Sequence, residues 1–486
     1  MSPPLWRLLA AGLIHAALFS AVALHRLRHR RRTDSTLLWL LAAWALPVAG
    51  AVLYAMFGVD RVPRARWSRT VARRTGLRGG AEERGLWTGL AAAAVDPPDA
   101  WGRDMDRSLR AITGGLPLLG GNQITPLLTG DEAFPKMLAA IREARRTIHL
   151  QSFIIGADAV GREFMEALAD RARAGVRVRV LYDRFGSSEA LWSGFFRRWR
   201  SVPNFAVAGW TQANLFRKQL QFNLRNHRKT LVVDGRIAFT GGCNLHNPER
   251  SFGTRRAIQD YHFRVLGPAV NALQYGFLRD WHMMTGEDPD VLLDPAHFRA
   301  IPAGDMAARV VDSGPDSLPN GAADLFFLAV CGARRSVQLL TPYFFPTDEL
   351  AQALRMAALR GLRVEVVLPE RSNHVYTTWA GRAFYDDLLE AGVRIFERRP
   401  PFTHSKALLV DGEMAVVGTA NWDMRSLTSN YETSLVVYGH AFASAVGLLL
   451  REDRLASREV SHDVFRRRPR LQRYLENASA LLAPLL

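Results

Sequence analysis

Two stretches of the 486-residue chain decide its fold: Asn226-His-Arg-Lys-Thr-Leu-Val-Val-Asp-Gly-Arg-Ile-Ala-Phe-Thr-Gly-Gly-Cys-Asn244 and Thr403-His-Ser-Lys-Ala-Leu-Leu-Val-Asp-Gly-Glu-Met-Ala-Val-Val-Gly-Thr-Ala-Asn421. Both fit His-x-Lys-x4-Asp-x6-Gly-[Gly/Thr]-x-Asn. The chain has only four lysines, Lys136, Lys218, Lys229 and Lys406, and two of them occupy the same place in the two copies. A repeat therefore organises the chain. On a strand, residues two apart share a face, so His227 projects with Lys229 and His404 with Lys406. Each apolar run then meets an Asp-Gly hairpin signal, and the returning strand brings Asn244 or Asn421 back beside its histidine and lysine.

The repeat extends upstream. Thr147 to Phe153 is strand-like, Gly161 to Ala174 has helical spacing, and Gly175 to Leu181 alternates as a strand; the same order recurs at Ser336 to Tyr343, Asp348 to Arg360 and Gly361 to Leu368. Strand, helix, strand with short links predicts α/β units with parallel strands. We place the two copies at 116–300 and 301–486, as tandem α/β domains with mixed sheets and a pseudo-two-fold relation.

One His-Lys-Asn set offers a nucleophile or proton carrier, a cation and an amide donor, which suits a phosphate oxyanion. Two sets facing each other have what a two-step displacement at phosphorus requires. One imidazole attacks and becomes a phosphohistidine; the other protonates the leaving alcohol and then deprotonates the incoming one. The lysines and Asn244 and Asn421 would bind the phosphate, and the scheme calls for no cofactor and no metal. Each imidazole needs an acceptor on its other nitrogen. Asp260, 33 residues after His227, and Glu432, 28 after His404, are the candidates. Asp234 and Asp411 complete the motif and are counted with the catalytic set, although an Asp before Gly is also a turn residue and a mainly structural role is expected of them.

The N-terminal end is apolar. Leu8 to Leu24 is a run of 17 residues without a formal charge, and Leu37 to Phe57 a cleaner run of 21, long enough for a hydrocarbon core of about 30 Å. Together they predict a membrane hairpin over 1–60. The first run also admits a cleaved signal, with Ala21-Val-Ala23 as its end, or an interfacial helix. A basic connector, His25 to Arg32, separates the runs, and a basic juxtamembrane linker with one short helix is expected at 61–115. Seven arginines from Arg61 to Arg78 outnumber five in the connector and favour a cytoplasmic body.

Composition bounds the rest. With 63 Lys+Arg against 46 Asp+Glu the formal charge is +17, which points to an anionic partner, either nucleic acid or a phospholipid surface. A 48% hydrophobic share excludes wholesale disorder, and two cysteines, Cys243 and Cys331, exclude a disulfide scaffold or an all-cysteine metal site. Phe195-Phe-Arg-Arg-Trp-Arg200 reads as an interfacial anchor or an ordinary amphipathic helix. Arg466-Arg-Arg-Pro-Arg470 reads as an anionic-lipid contact or a solvated face.

With these residues in view, the chain resembles the phospholipase D superfamily, and within it the bacterial cardiolipin synthases. The paired motifs carry the first resemblance. The second rests on Leu46 to Gly58, Arg225-Asn-His-Arg-Lys229, Ser313-Gly-Pro-Asp316, Thr341-Pro-Tyr-Phe-Phe-Pro346, Asn421 to Ser426 with Asn430 and Glu432, and Pro484-Leu-Leu486. The resemblance implies two phospholipase D-like domains behind a transmembrane hairpin in the bacterial inner membrane. It implies conversion of two phosphatidylglycerol molecules to cardiolipin and glycerol, with His227 carrying the phosphatidyl group and His404 as acid and base. Phosphatidylglycerol and anionic lipid are then the partners, and no nucleic acid is expected. The oligomeric state and the acceptor alcohol stay open, the latter among phosphatidylglycerol, phosphatidylethanolamine and water. A membrane-anchored nuclease of the same superfamily is the runner-up. Ile258 departs from the family pattern, which leads one to expect tryptophan there.

Overall fold

In a computed structural model the described residues are 5–28, 33–58, 93–97, 99–113, 116–210, 212–214, 219–221, 224–250, 257–315, 321–373 and 375–481. The end of the basic connector, the seven arginines from Arg61 to Arg78, most of the linker, Asp316 and Pro484 to Leu486 lie outside them. The chain divides into two units, 1–63 with 211–224, and the remainder.

In the first unit, α1 (Leu5–Arg28) and α2 (Thr33–Ala45) pack side by side. Val22, Ala43 and Tyr54 form their small core, the Phe19 and Trp44 rings meet edge-on at 5.5 Å, and Arg26 donates to Thr36 Oγ1 at 3.0 Å. Among the described residues, Leu9–Arg28 is the one helix long and apolar enough to cross a membrane. The second run, expected to be continuous over 37–57, is broken. Helix α2 stops at Ala45, Val48 takes a φ of 61°, and α3 (Ala49–Leu53) runs into a π-turn over Tyr54–Gly58. Pro47 supplies the reason, since it has no N–H to donate and its ring clashes with the turn behind it. The 13 residues of α2 rise only about 20 Å, short of a hydrocarbon core.

The second unit is built on one 15-stranded mixed sheet. Its strands in chain order are β1 (Leu119–Leu128), β2 (Thr147–Ser152), β3 (Arg177–Asp183), β4 (Phe205–Trp210), β5 (Thr230–Val233), β6 (Ile237–Gly241), β7 (Tyr261–Leu266), β8 (Met306–Ser313), β9 (Ser336–Leu340), β10 (Arg363–Pro369), β11 (Arg394–Arg398), β12 (Ala407–Val410), β13 (Met414–Gly418), β14 (Glu432–Tyr438) and β15 (Ser457–Glu459). Across the sheet the order is β15-β11-β10-β9-β12-β13-β14-β8-β1-β7-β6-β5-β2-β3-β4. Apart from the edge strand β15, the halves mirror each other about the antiparallel β8–β1 seam, where Leu119 pairs with Ala308. In each half three strands run parallel and the motif hairpin joins them antiparallel, as in Gln151↔Thr230 and Leu340↔Ala407.

The parallel strands β3 and β10 are buried on both faces after their first residue, so Arg179 in β3 and Glu365 in β10 are buried charges among apolar neighbours. In the first half, α5 (Thr129–Glu143) and α6 (Ala159–Arg173) cover the sheet through Phe134, Ile141, Phe164 and Leu168. In the second, α8 (Gly321–Cys331) and α9 (Asp348–Leu359) do so, joined by α4 (Ala100–Ile112). Helix α4 occupies residues read from the sequence as linker. It inserts Trp101, Met105 and Leu109 into the second-domain core, and its buried Asp106 accepts two bonds from Arg309 Nη2, at 2.7 and 2.8 Å. On the other face α7 (Ala269–Thr285) and α11 (His440–Leu455) close a core that runs through both halves. In Phe195 to Arg200 two of the three aromatics belong to the core: Phe196 and Trp199 are buried, and Phe196 stacks on Tyr182 at 3.9 Å.

Candidate active site

Both motif hairpins turn at Asp-Gly with left-handed backbone at both central residues: φ is 53° and 62° at Asp234 and Gly235, and 56° and 70° at Asp411 and Gly412. This type I′ geometry matches the strand twist and sends the second strand back in register. Neither aspartate reaches the histidines. Asp234 accepts the backbone N–H groups of Arg145, Arg146 and Thr147 at 2.8, 2.7 and 2.9 Å. Asp411 does the same for Arg334, Arg335 and Ser336 at 2.8, 2.7 and 2.8 Å. They clamp the start of β2 and β9 to the hairpin tips, so their place in the catalytic set is corrected. The partner is backbone N–H, not a cation.

The other ends of β5 and β12 carry the chemistry. His227 and His404 lie just before them and meet at the domain junction, where each backbone crosses to the other copy. His227 N–H donates to Tyr431 O at 2.9 Å, and His404 N–H donates to Gln259 O at 2.7 Å. Those two carbonyls precede Glu432 and Asp260, so each crossing brings the acidic residue of one copy to the histidine of the other. His227 Nδ1 lies 3.1 Å from Glu432 Oε1, and His404 Nδ1 lies 2.7 Å from Asp260 Oδ2. The acceptors that follow each histidine in sequence thus serve the opposite one. Nε2 of each ring is left for a substrate. Ile258, in the tryptophan position, pairs with Phe402 in this crossing.

The two carboxylates are not equivalent. Thr419 Oγ1 donates to Glu432 Oε2 at 2.5 Å. The matching residue in the first copy is Gly242, and a Cβ there would come within 1.9 Å of Asp260 Oδ1. Burial pushes Glu432 up, but His227, Lys229 and Thr419 outweigh it and hold the carboxyl below its ordinary range. Burial pushes Asp260 up to about 6 against the pull of Lys406. Burial, then Lys406, holds the His404 imidazole well below its ordinary value.

Both lysines are buried, and each donates to the carbonyl of its own histidine, Lys229 Nζ to His227 O at 2.7 Å and Lys406 Nζ to His404 O. Burial, and then the charge of Lys406, brings Lys229 down to about 8; burial also lowers Lys406. Two like charges kept this dry are relieved by an anion between them. Asn244 and Asn421 are buried as well. Asn244 Oδ1 accepts Ile154 N–H at 3.1 Å, whereas Asn421 Oδ1 has no partner. Phe153 and Tyr343 stand edge-on to His227 and His404, with centroids 4.7 and 6.0 Å away.

Sequence reasoning missed three contributors. Glu249 is fully buried, accepts Asn244 N–H at 3.1 Å, and lies with Asp260 and His404 so that their ligand atoms fall within 4.8 Å of one another. Among the described residues this is the one trio close enough to share a cation, and Lys406 Nζ already stands 3.8 Å from Asp260. Glu249 occupies the position of Ser426 in the second copy, so the repeat gave no signal for it. Arg228, on the opposite strand face from His227, is buried and bonds Asp280 Oδ1 at 2.6 Å while its Nε donates to Glu432 O at 3.1 Å, tying the domains together. Thr419 was readable only as a variable motif position.

The family described as "Cardiolipin synthase, PLD-like domain" matches residues 137–256 and again 330–451, and "Phospholipase_D-nuclease N-terminal" matches 16–58. The chain is 33% identical to a cardiolipin synthase of Geobacillus kaustophilus over 94% of this chain and 90% of that one. It is 31% identical to the major cardiolipin synthase ClsA of Bacillus subtilis, over 94% and 95%. Its fold is similar to that of a phosphatidylserine synthase of Haemophilus influenzae, with a TM-score of 0.62 at 14% identity, covering 79% of this chain and all of the other.

Proposed function

The chain belongs to the phospholipase D-like cardiolipin synthase family, and we propose that from this premise its two copies act as one site that transfers a phosphatidyl group between two phosphatidylglycerol molecules. It is a membrane-associated phosphatidyltransferase. The observation that carries the reading is the crosswise pairing, His227 with Glu432 and His404 with Asp260, around two buried lysines.

In the first step His227 Nε2 attacks phosphorus, the bond from phosphorus to the glycerol oxygen breaks, and His404 gives that oxygen its proton. Glycerol leaves and the phosphatidyl group stays on His227. In the second step the headgroup hydroxyl of another phosphatidylglycerol gives its proton to His404 and attacks phosphorus, releasing His227 and forming cardiolipin. The low-lying carboxylate Glu432 suits the ring that becomes cationic, which supports His227 as nucleophile. Burial, then the charge of Lys406, keeps His404 neutral in the empty site, and a phosphodiester anion between Lys229 and Lys406 offsets the second of these. Asn421 and Asn244 border the phosphate through their Nδ2 donors, and Asp234 and Asp411 hold the hairpins. The lysines supply the positive charge, so the scheme calls on no metal or cofactor.

Helix α1 anchors the protein, in our reading in a bacterial inner membrane with the domains on the cytoplasmic side. Purified full-length protein is expected to convert labelled phosphatidylglycerol to cardiolipin with one glycerol released per product, chelator present. Phosphatidic acid as sole product would make it a hydrolase, and full activity in His227→Ala would remove the histidine from the mechanism.

A further inference from the structure

The last helix, α12 (Arg470–Leu481), is turned inside out for a water-facing surface. Leu471, Tyr474, Leu475, Ala478 and Leu481 recur at helical spacing along one face. That face is the outer one: Leu471 is 70% exposed, Tyr474 69%, Leu475 43% and Leu481 81%. On the opposite side Gln472 and Ser479 are half-buried and a carboxylate is enclosed. Glu476 is fully buried, accepting from Arg468 Nε at 2.7 Å and from Gln472 Nε2 at 2.9 Å. Arg468 also donates to Asp386 at 2.8 Å and lies 3.7 Å over the Phe465 ring. This network fixes the rotation of the helix, so the exposed stripe is a built feature.

The stripe leads to the mouth of the site. Ala480 and Tyr343 pack on Phe345 and Ala380 in one apolar cluster, and Tyr343 is the ring beside His404. Ala380 belongs to α10 (Val375–Arg382), which also exposes Tyr376 and Trp379. In the first half, the segment after β3 holds the place that α10 holds after β10, and it exposes Phe185 and Trp192. Asp183, at the end of β3, accepts Asn226 N–H at 2.9 Å, next to His227. Exposed apolar side chains therefore occupy matching positions after β3 and β10, and Arg466, Arg467, Arg470 and Arg473 are exposed on or beside the helix that carries the stripe.

We propose that α12, with Trp379 and Trp192, is a docking surface for the headgroup–acyl boundary of an anionic phospholipid layer, the apolar stripe seated among acyl chains and the arginines on lipid phosphates. The arginine border and the link through Tyr343 to His404 favour lipid over a second copy of the chain as the occupant. The inference rests on the lipid-substrate reading above, and it removes the distance a headgroup would otherwise travel to reach His227 and His404.

The test uses full-length protein in vesicles of phosphatidylglycerol and phosphatidylcholine with brominated acyl chains. In a Cys331→Ser background, a fluorophore on Tyr474→Cys is compared with one on Glu143→Cys, which lies at the end of α5 by the start of β2, the edge opposite the site. Quenching of the 474 probe but not the 143 probe is expected. An unquenched 474 probe, whether left in water or covered by protein, overturns the proposal. As a second arm, L471E/L475E/L481E is expected to raise KM for long-chain phosphatidylglycerol in vesicles by about tenfold, with turnover of short-chain, monomerically dispersed phosphatidylglycerol unchanged. Equal loss on both substrates gives the stripe a structural role and overturns the docking role. If the unaltered protein turns over neither substrate while the 474 probe is quenched, the catalytic reading fails and the docking surface stands.

Discussion

Glu432→Gln and Asp260→Asn separate the two histidines, because each carboxylate belongs to the copy opposite the one it serves. His227 Nδ1 lies 3.1 Å from Glu432, and two unit charges at that separation interact by about 5 kcal/mol at an effective dielectric of about 20. A neutral amide keeps a hydrogen bond worth about 1 kcal/mol. About 4 kcal/mol of stabilisation of a cationic His227 is therefore lost in Glu432→Gln, near a thousandfold in forming the covalent intermediate. Asp260→Asn acts on His404, and so on protonation of the leaving alcohol. The assay compares phosphatidylglycerol with the p-nitrophenyl ester of phosphatidic acid, whose leaving group departs without a proton. Asp260→Asn is expected to recover most of its lost rate of intermediate formation on the nitrophenyl ester, and Glu432→Gln to recover little. The opposite pattern would refute the crosswise division and return each carboxylate to its own copy.

Three further outcomes are expected. Gly242→Thr places a side chain against Asp260 and is expected to abolish activity, whereas Thr419→Val removes one hydrogen bond to Glu432 and costs about tenfold in kcat; comparable effects from both would contradict the asymmetry. For the free enzyme, kcat/KM is expected to fall on the acid side as Asp260 gains its proton near 6, and on the alkaline side as Lys229 loses its own near 8. The sign for stability differs. Asp260 is raised above its unfolded value of about 3.9, so its contribution favours the fold at low pH and is lost as pH rises through 6; activity lost between pH 7 and 5 should come with no thermal destabilisation from this group, as Asp260→Asn melts over that range would check. Asp234→Ala removes three backbone hydrogen bonds and is expected to cost about 3 kcal/mol in chemical denaturation, with kcat of the folded fraction nearly unchanged; a collapse of kcat at unchanged stability would return the aspartate to the chemistry.

The repeat made most of this fold legible. A strand and hairpin period placed His227 beside Lys229 and His404 beside Lys406, and Asp-Gly announced both turns, because these are local consequences of a few residues. The carboxylate partners were legible as residues but not as pairs. Pairing depends on the crossings at Tyr431 and Gln259, where two distant backbones meet, and no local pattern encodes that. The break at Pro47 was written in the sequence but masked by the hydropathy around it, which counts apolar residues and ignores a missing donor. Helix α4 was legible only as one short helix somewhere in a linker rich in arginine, glycine and alanine, although Asp99 caps it by accepting Gly102 N–H, and its packing into the second-domain core had no local signal. Glu249 could not have been read, since its role comes from burial beside the other copy's His404.

The mechanism turns on a phosphatidyl group held by one histidine while the other copy supplies the proton and the carboxylate. Full-length protein mixed briefly with phosphatidylglycerol labelled at phosphorus, quenched and digested for mass spectrometry of its peptides, measures this directly. The account predicts label on the peptide holding His227, accumulating further in His404→Ala with the nitrophenyl ester and vanishing in His227→Ala. Label on His404, or sustained cardiolipin formation with neither histidine labelled, would contradict it.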